Sequence, residues 1–565
     1  MKAESDIKKT GYFRHCAFLL SLILYISAGP MYALHNQYEL HDPSSIIKCG
    51  DNYWIFATGN GIHSLYSKDL VGWTNGENPF AWGSYPSWVL NYVPDFTGHY
   101  WAPECFYMNG LYYLYYSCSS WGSRNSCIGL LTSKSLNPGS DDYAWKDEGM
   151  VVYSTDAGDV NCIDPAVFRD DEGKIWLTYG SHWDGIRIIE LDSLTGKVIG
   201  GTHHPVAGKG DYKTEAPYVI NHGEFYYLFF NRGQCCDGVN STYYIQVGRS
   251  TSPTGPFLDK SGKDCYQGGG STVLITSGSF IGPGCIGYYV ENKTEFVTYH
   301  YYDGANSGRA TLNIGTVKWD DNDWPVFTNN WIEDGHYSLK NVNSQLAWDF
   351  SGAGEDQDPV VQNAYSQEGS QKWTFEALGN GFYSISPGGR DLVAMLKDCF
   401  GGTGTKINLG IPESKSCQIW RVEKTGDLNF MFSSKYGNRV LEVPGASAEA
   451  GIQFTGDLYS GGANQRWALP DTFQYVSVQD KTFSQQWVNL YPNPVAGEQF
   501  YIDFRQNEPV GECEIEILSS DGKVVFSKSY FSPQVVTIHK RFEPQIYFVS
   551  IKSKNNSFFH KLVVQ

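Results

Sequence analysis

Five aromatic runs, spaced roughly 50 to 70 residues apart, dominate the first 335 residues and restrict the fold more than any other feature of the chain. They are Asn52-Tyr-Trp-Ile-Phe-Ala, Gly110-Leu-Tyr-Tyr-Leu-Tyr-Tyr, Gly173-Lys-Ile-Trp-Leu-Thr-Tyr, Gly223-Glu-Phe-Tyr-Tyr-Leu-Phe-Phe and Glu295-Phe-Val-Thr-Tyr-His-Tyr-Tyr. Aromatic and β-branched side chains fit a pleated surface, so each run reads as a strand. Four runs are followed by a second β-like stretch ending in a similar turn: Ser67-Lys-Asp-Leu, Ser133-Lys-Ser-Leu, Leu191-Asp-Ser-Leu and Ser250-Thr-Ser-Pro. That period accommodates one four-stranded unit with its loops. Five such units closing into a ring predict a five-bladed β-propeller over 34–335, which accounts for the repeat better than a β-sandwich does.

Just before each run lies a short element with proline: His41-Asp42-Pro43, Trp101-Ala-Pro-Glu104, Ile163-Asp164-Pro165, Glu215-Ala-Pro217 and Gly282-Pro-Gly-Cys285. Taken singly, each is no more than a turn signal. In a propeller the first strand of each blade lines the central channel, so the four carboxylates among these elements are expected to converge. Carboxylates crowded in a partly desolvated cleft push their pKa values apart, so that one stays protonated while another stays ionised. Glycoside hydrolysis needs such a pair.

A net charge of −18 argues against a nucleic-acid surface, which needs clustered Lys and Arg, and equally against acidic pectin backbones. A neutral glycan fits. Residues 1–33 read as a signal peptide, with Lys8, Lys9 and Arg14 ahead of an apolar run from Ala17 to Ile26 and a small-residue exit near Ala28 or Ala33. No other span is long enough to cross a membrane. Removing the leader also removes Cys16 and leaves twelve cysteines for an oxidising compartment. Cys118 with Cys127, and Cys399 with Cys417, are close enough in sequence to pair. The adjacent Cys235 and Cys236 imply either a vicinal bridge or two separate partners.

With the motifs His41-Asp42-Pro43, Trp101-Ala-Pro, Leu111-Tyr-Tyr-Leu-Tyr-Tyr-Ser117, Asn161-Cys-Ile-Asp164-Pro165, Gly180-Ser-His-Trp-Asp-Gly185, Thr214-Glu215-Ala-Pro217 and Asn240-Ser-Thr-Tyr-Tyr-Ile-Gln-Val-Gly-Arg249, the segment 37–335 resembles glycoside hydrolase family 43, and within it the endo-α-1,5-L-arabinanases. The resemblance implies an inverting hydrolase of internal α-1,5-L-arabinofuranosidic linkages in arabinan or a related neutral plant polysaccharide. It makes Asp42 the general base, Glu215 the general acid and Asp164 the residue that tunes and orients the acid. Gly122, Asn161, Ser181, His182 and Trp183 are the implied substrate contacts, and Trp183 and Trp121 could stack on sugars or belong to the core. Other activities of the family, exo-α-L-arabinofuranosidase or β-xylosidase, share these carboxylates. The insertion Asn75 to Phe96, with Trp82 and Trp88, would close the cleft into a chain-end pocket if it walled off one side. From a different class comes a non-catalytic glycan-binding surface protein, against which all three carboxylates speak.

Two positions depart from the family pattern: Glu104 stands where an Asp is usual, and Cys285 where a His is usual. In relatives that His helps hold a channel metal, usually taken as calcium. The resemblance implies no required cofactor and leaves room for a channel calcium, against which Cys285 speaks because hard Ca²⁺ does not favour sulfur.

A second repeat spans 336–470, marked by Gln371-Lys-Trp373, Gln418-Ile-Trp420 and Gln465-Arg-Trp467, with 47 residues from Trp to Trp both times. It resembles the ricin-type β-trefoil of carbohydrate-binding module family 13. The resemblance offers Asp349, Glu442 and Asn464 as lectin candidates, although no unit carries the complete sugar-binding set. After a polar linker, 471–488, the segment 489–565 carries Leu490-Tyr-Pro-Asn-Pro494 and Ser520-Asp-Gly-Lys523. It resembles the C-terminal sorting domain of the type IX secretion system, a small β-sandwich. That implies the type IX machinery as a partner, and the medium or outer-membrane surface of a Bacteroidetes-type bacterium as the address.

Overall fold

The computed structural model describes residues 33–34, 37–210, 213–366, 369–469 and, with short gaps, most of 489–564. The expected leader, apart from Ala33, and the linker at 471–488 lie outside the described residues. Among those described the chain is all-β, its strands joined by turns and short 3-10 segments. It divides into two compact units, one ending at Thr472 and one beginning at Phe473.

Five successive antiparallel sheets occupy 33–328 and form the blades of a propeller. Blade 2 shows the pattern, with His99–Met108, Leu111–Cys118, Ser126–Ser133 and Lys146–Ser154 paired in sequence order. The aromatic runs are the second strands: Asn52–Ala57, Leu111–Cys118, Ile175–Tyr179, Phe225–Arg232 and Thr294–Asp303. Both faces of such a strand are covered by the neighbouring blades, so every residue from Tyr112 to Cys118 is buried. That double burial is why the runs are continuous rather than alternating.

The ring closes between its first and last blades. Leu40 donates its N–H to the Ala310 carbonyl at 3.0 Å, and Leu312 donates to Tyr38 at 3.3 Å. Nearby, the Thr298 hydroxyl donates to the Ser44 carbonyl at 2.8 Å. The segment 38–45 is thereby held on blade 5 before the chain enters blade 1.

Strands between Gly335 and Ala468 build a β-trefoil in the same unit. Trp373, Trp420 and Trp467 are buried at equivalent places, each indole donating to a backbone carbonyl, of Trp348, Ala394 and Leu441 respectively. Gln371, Gln418 and Gln465 each donate from Nε2 to the carbonyl seven residues earlier, of Ala364, Ile411 and Leu458. Gln-x-Trp is therefore a structural staple: Gln pins the loop and Trp fills the core. Cys399 and Cys417 are bridged, whereas Cys118 and Cys127 face each other across a strand pair as buried thiols.

Trefoil and propeller share a buried apolar cluster of Leu34, Val71, Met431, Val440 and Tyr459. The Tyr459 hydroxyl donates to Asp69 at 2.7 Å, and Gly426 N–H donates to the Asp69 carbonyl at 3.0 Å. Buried Arg421, paired with Glu423, reaches Asn313 of blade 5 at 3.3 Å.

The second unit contains a three-stranded sheet (Asn489–Tyr491, Gln499–Asp503, Val535–His539) and a four-stranded one (Val524–Phe531, Glu512–Ser519, Ile546–Ser553, Asn556–Val563). Phe500, Ile502 and Ile538 of the first share one core with Ile515, Ile517 and Val549 of the second, the packing of a small sandwich.

Candidate active site

One residue at the entrance to each blade holds a left-handed backbone: Asp42 (φ 49°), Ala102 (37°), Asp164 (57°), Ala216 (50°) and Cys285 (57°). Such a conformation costs a residue with a β-carbon about 1–3 kcal/mol. It interrupts pairing, which shifts register between Trp101 and Glu104, between Glu215 and Tyr218, and between Gly284 and Gly287. A repeated hydrogen bond offsets the cost. The freed N–H of Ala102 donates to Thr58 Oγ1 at 2.9 Å, that of Asp164 to Ser117 Oγ at 2.9 Å, that of Cys285 to Asn231 Oδ1 at 3.0 Å, and that of Asp42 to His300 Nδ1 at 3.2 Å. Thr58, Ser117 and Asn231 directly follow the aromatic run of the preceding blade, and His300 lies two residues inside the end of its run. In blade 3 that place falls to Gly180, which has no side chain. Ala216 N–H takes Asp164 Oδ2 instead, at 3.1 Å, and so draws that carboxylate to the peptide following Glu215.

These entrances surround a cavity of about 760 Å³, lined by Asp42, Asp164 and Glu215 and also by Gly122, Asn161, Ser181, His182 and Trp183. All eight residues singled out in the propeller are thus brought together. Glu104, the fourth carboxylate expected to converge, is not among the lining residues. It lies beyond its proline rather than before it, buried along the strand, where Ser45 N–H donates to it at 3.0 Å and burial pushes its carboxyl up to about 7.

Asp42 is held by His41 Nδ1 at 2.8 Å and by the Thr58 hydroxyl, which donates to Oδ2 at 2.7 Å. Burial pushes the Asp42 carboxyl up, but the charge and hydrogen bond of His41 outweigh it and hold the group well below the usual carboxylate range. Burial pushes His41 down while Asp42 pulls it further up, to about 10. Glu215 accepts from Ser181 Oγ at 2.7 Å and lies 3.1 Å from His182 Nδ1. At Glu215 burial pushes upward and is outweighed by bonding to His182, Ser181 and Tyr243. Asp164 goes the other way, pushed well up by burial and by the charges of Glu215 and Asp42. Asp42 therefore stays ionised near neutrality, while Asp164, beside the charge of Glu215, is pushed in the opposite direction.

The turn 180–185 carries Ser181, His182 and Trp183 to Glu215, with His182 at φ 59° and Trp183 at φ 43°. His182 N–H donates to the Thr214 carbonyl at 2.7 Å, tying the turn to the residue before Glu215. Gly185 closes it at φ 74°, where a β-carbon would sit 2.0 Å from the Ala207 carbonyl oxygen. Asn161 accepts from Ser126 Oγ at 2.7 Å. Neither Trp121 nor Trp183 is a core residue. Trp121 is 76 % exposed at the cavity rim, with Trp101 beside it at 5.4 Å between ring centroids, and Arg124 lies over Trp183.

Sequence reasoning left His41, Thr58, His300, Tyr243, Cys236 and Tyr302 without roles. Tyr302 Oη accepts from Cys236 N–H at 2.7 Å and shares a 2.8 Å hydrogen bond with His41 Nε2.

The profile for glycosyl hydrolases family 43 matches residues 36–325. The chain belongs to that family. This family 43 chain is 38% identical over 302 residues to the extracellular exo-alpha-(1->5)-L-arabinofuranosidase ArbA of Cellvibrio japonicus, covering 51% of this chain and 86% of that protein. It is also 38% identical over 335 residues to the extracellular endo-alpha-(1->5)-L-arabinanase 1 of Bacillus subtilis, covering 58% of this chain and all of that one. Among solved structures, the Cellvibrio cellulosa alpha-L-arabinanase complexed with arabinohexaose matches with a TM-score of 0.50 at 36% identity, over 52% of this chain and 96% of that one. Residues 320–410 match the ricin-type beta-trefoil lectin domain-like family, and 489–565 match the secretion system C-terminal sorting domain. The sorting domain directs the protein to the cell surface or beyond. No helix among the described residues is long and apolar enough to cross a membrane.

In the trefoil the three lectin candidates are engaged within the module. Asp349 accepts from Asn363 at 3.1 Å and Gln371 at 3.2 Å, Glu442 accepts from Gln465 at 2.9 Å, and Asn464 donates to the Val443 carbonyl at 3.0 Å. The second repeat places Met395 where the others have a carboxylate, its sulfur 3.8 Å from Gln418 Nε2. In the propeller, His41, Asp42 and His300 are grouped closely enough to hold a metal ion, with Cys285 on the same cavity. Two imidazoles, a thiol and one carboxylate already bound to His41 do not suit calcium, which takes six to eight oxygen ligands.

Proposed function

We propose that the propeller hydrolyses internal α-1,5-L-arabinofuranosidic linkages of arabinan with inversion. The observation that carries this reading is the placement of three differently tuned carboxylates, from blades 1, 3 and 4, on one cavity. Asp42, ionised and steered by His41 and Thr58, takes a proton from the attacking water. Glu215 gives its proton to the departing sugar oxygen. Asp164 tunes that acid by its charge and orients it through the Ala216 peptide next to Glu215. One proton enters at Asp42 and one leaves from Glu215, so exchange with solvent restores the resting state.

The relatives include exo-acting and endo-acting proteins at equal identity, so chain-end preference rests on the shape of the cleft. Through Thr58, His63 and His99 the cavity adjoins a second hollow of about 820 Å³, lined by residues 75–82 of the long insertion. The insertion extends the groove there, and Trp88 is turned away by a 2.8 Å bond to Asp147. A longer groove accommodates an internal stretch of polymer and favours endo action. Linear arabinan should lose viscosity early and release mixed oligosaccharides, with little turnover of a small aryl arabinofuranoside that fills one subsite. Arabinose alone from the first minutes, with viscosity barely falling, would show a chain-end enzyme instead.

A further inference from the structure

Cys235 and Cys236 stand on the cavity wall, their sulfurs 2.6 Å apart, inside the contact distance of two unbonded sulfur atoms. The next links run straight to Asp42. Cys236 has a left-handed backbone at φ 63°, and its N–H donates to Tyr302 Oη at 2.7 Å. Tyr302 shares a hydrogen bond with His41, and the other nitrogen of His41 lies 2.8 Å from the Asp42 carboxylate. Cys236 Sγ also lies 3.7 Å from His41 Nε2, and within its own segment the turn is tied by Thr242 N–H donating to the Gln234 carbonyl at 3.1 Å and Ser241 Oγ donating to it at 2.6 Å. The protein is sorted out of the cell and already contains the Cys399–Cys417 bridge, so its thiols meet oxidising conditions.

We propose that Cys235 and Cys236 join as a vicinal disulfide that fixes this turn, and through Cys236 N–H, Tyr302 and His41 positions the Asp42 carboxylate. The bond forms by thiol–disulfide exchange with an external disulfide oxidant. One cysteine thiolate attacks the oxidant and releases a thiolate, and the neighbouring cysteine then displaces the second. The pair loses two electrons and two protons, and the oxidant leaves as two thiols. Closing an eight-membered ring restricts the Cys235–Cys236 peptide, so the N–H that holds Tyr302 is fixed before substrate arrives. The two cysteines are positioning residues, and the proposal rests on the reading of Asp42 as the base.

Full-length secreted protein, alkylated without reduction and digested, should yield a Cys235–Cys236 peptide unalkylated and lighter by two hydrogens. Recovery of the doubly alkylated dithiol would overturn the proposal. Reduction of the native protein should lower kcat on soluble arabinan about tenfold to a hundredfold with KM little changed, as expected for a misplaced catalytic group. Reoxidation should restore it. The Cys235→Ser, Cys236→Ser double variant should start at the lowered kcat and not respond to reductant. If it keeps full kcat, or if it loses activity on reduction as the wild type does, the positioning role fails and the second outcome points to Cys399–Cys417. Asp42→Asn, inactive in either redox state, tests the base assignment separately: an active Asp42→Asn sinks that reading whatever the state of the sulfurs.

Discussion

At the scale of the residue, the three carboxylates differ by neighbours more than by kind. Asp42 has a histidine beside it, Glu215 has hydroxyl and imidazole donors, and Asp164 has chiefly other carboxylates. Glu215→Gln should cut turnover of natural linkages by about a hundredfold to ten-thousandfold, the usual worth of a general acid. It should spare far more activity on substrates with an activated leaving group, whereas Asp42→Asn should lose both; equal collapse of the two substrates in Glu215→Gln would remove it from the acid role. The pH profile follows from the same neighbours. Asp42, depressed by His41, remains ionised through the working range, so the alkaline limb of kcat/KM is expected to report loss of the proton of the proposed acid, Glu215. A nearby negative charge raises a carboxyl pKa, so Asp164→Asn removes a raising influence and should move that limb to lower pH. A limb that stays put or rises would show that Asp164 does not act on the acid electrostatically. Asp42, Asp164 and Glu215 were legible because each stands one or two residues before a proline in a five-fold repeat. Thr58, Ser117, Asn231 and His300 also left a trace, a polar residue at or near the end of four aromatic runs, whose meaning needs the ring: each serves the next blade. The link from Cys236 to Tyr302 left none, since it joins side chain and backbone 66 residues apart.

At the scale of the element, the 180–185 turn is the most exposed to damage. Gly185→Ala would force a β-carbon against the Ala207 carbonyl and displace Ser181 and His182 from Glu215. A loss of about 1–3 kcal/mol in stability should accompany a fall in kcat, read by thermal unfolding and by steady-state kinetics on the same preparation. Unchanged kinetics would mean that the turn does not set the acid. The blades were legible because continuous aromatic strands suit elements covered on both faces. The extension of the groove along 75–82 was not, since an insertion of that length folds equally well over a mouth or beside it.

At the scale of the molecule, trefoil and propeller are joined by a buried apolar cluster and by buried Arg421 rather than by a tether. Removing 336–470 would expose Leu34 and Val71 and leave Asn313 and Asp69 without their partners across the joint. The truncated propeller should melt several degrees lower and lose soluble-arabinan activity on warming sooner than the full chain. Equal melting temperatures would show the joint to be incidental. Met431→Ala, which opens a cavity in the shared cluster at a cost of about 2–5 kcal/mol, gives the same comparison without truncation.

The closure of the ring also has a consequence in time. Asp42 lies near the beginning of the folded chain, yet its backbone is held by His300, some 258 positions later, and its segment pairs with residues around 310. A chain emerging from the ribosome or threading through a membrane has made Asp42 long before it has made the seat for it. Catalytic competence is therefore expected to arrive late and at once, when the fifth blade meets the first, and a product truncated before that blade should lack hydrolytic activity however well its earlier blades have folded.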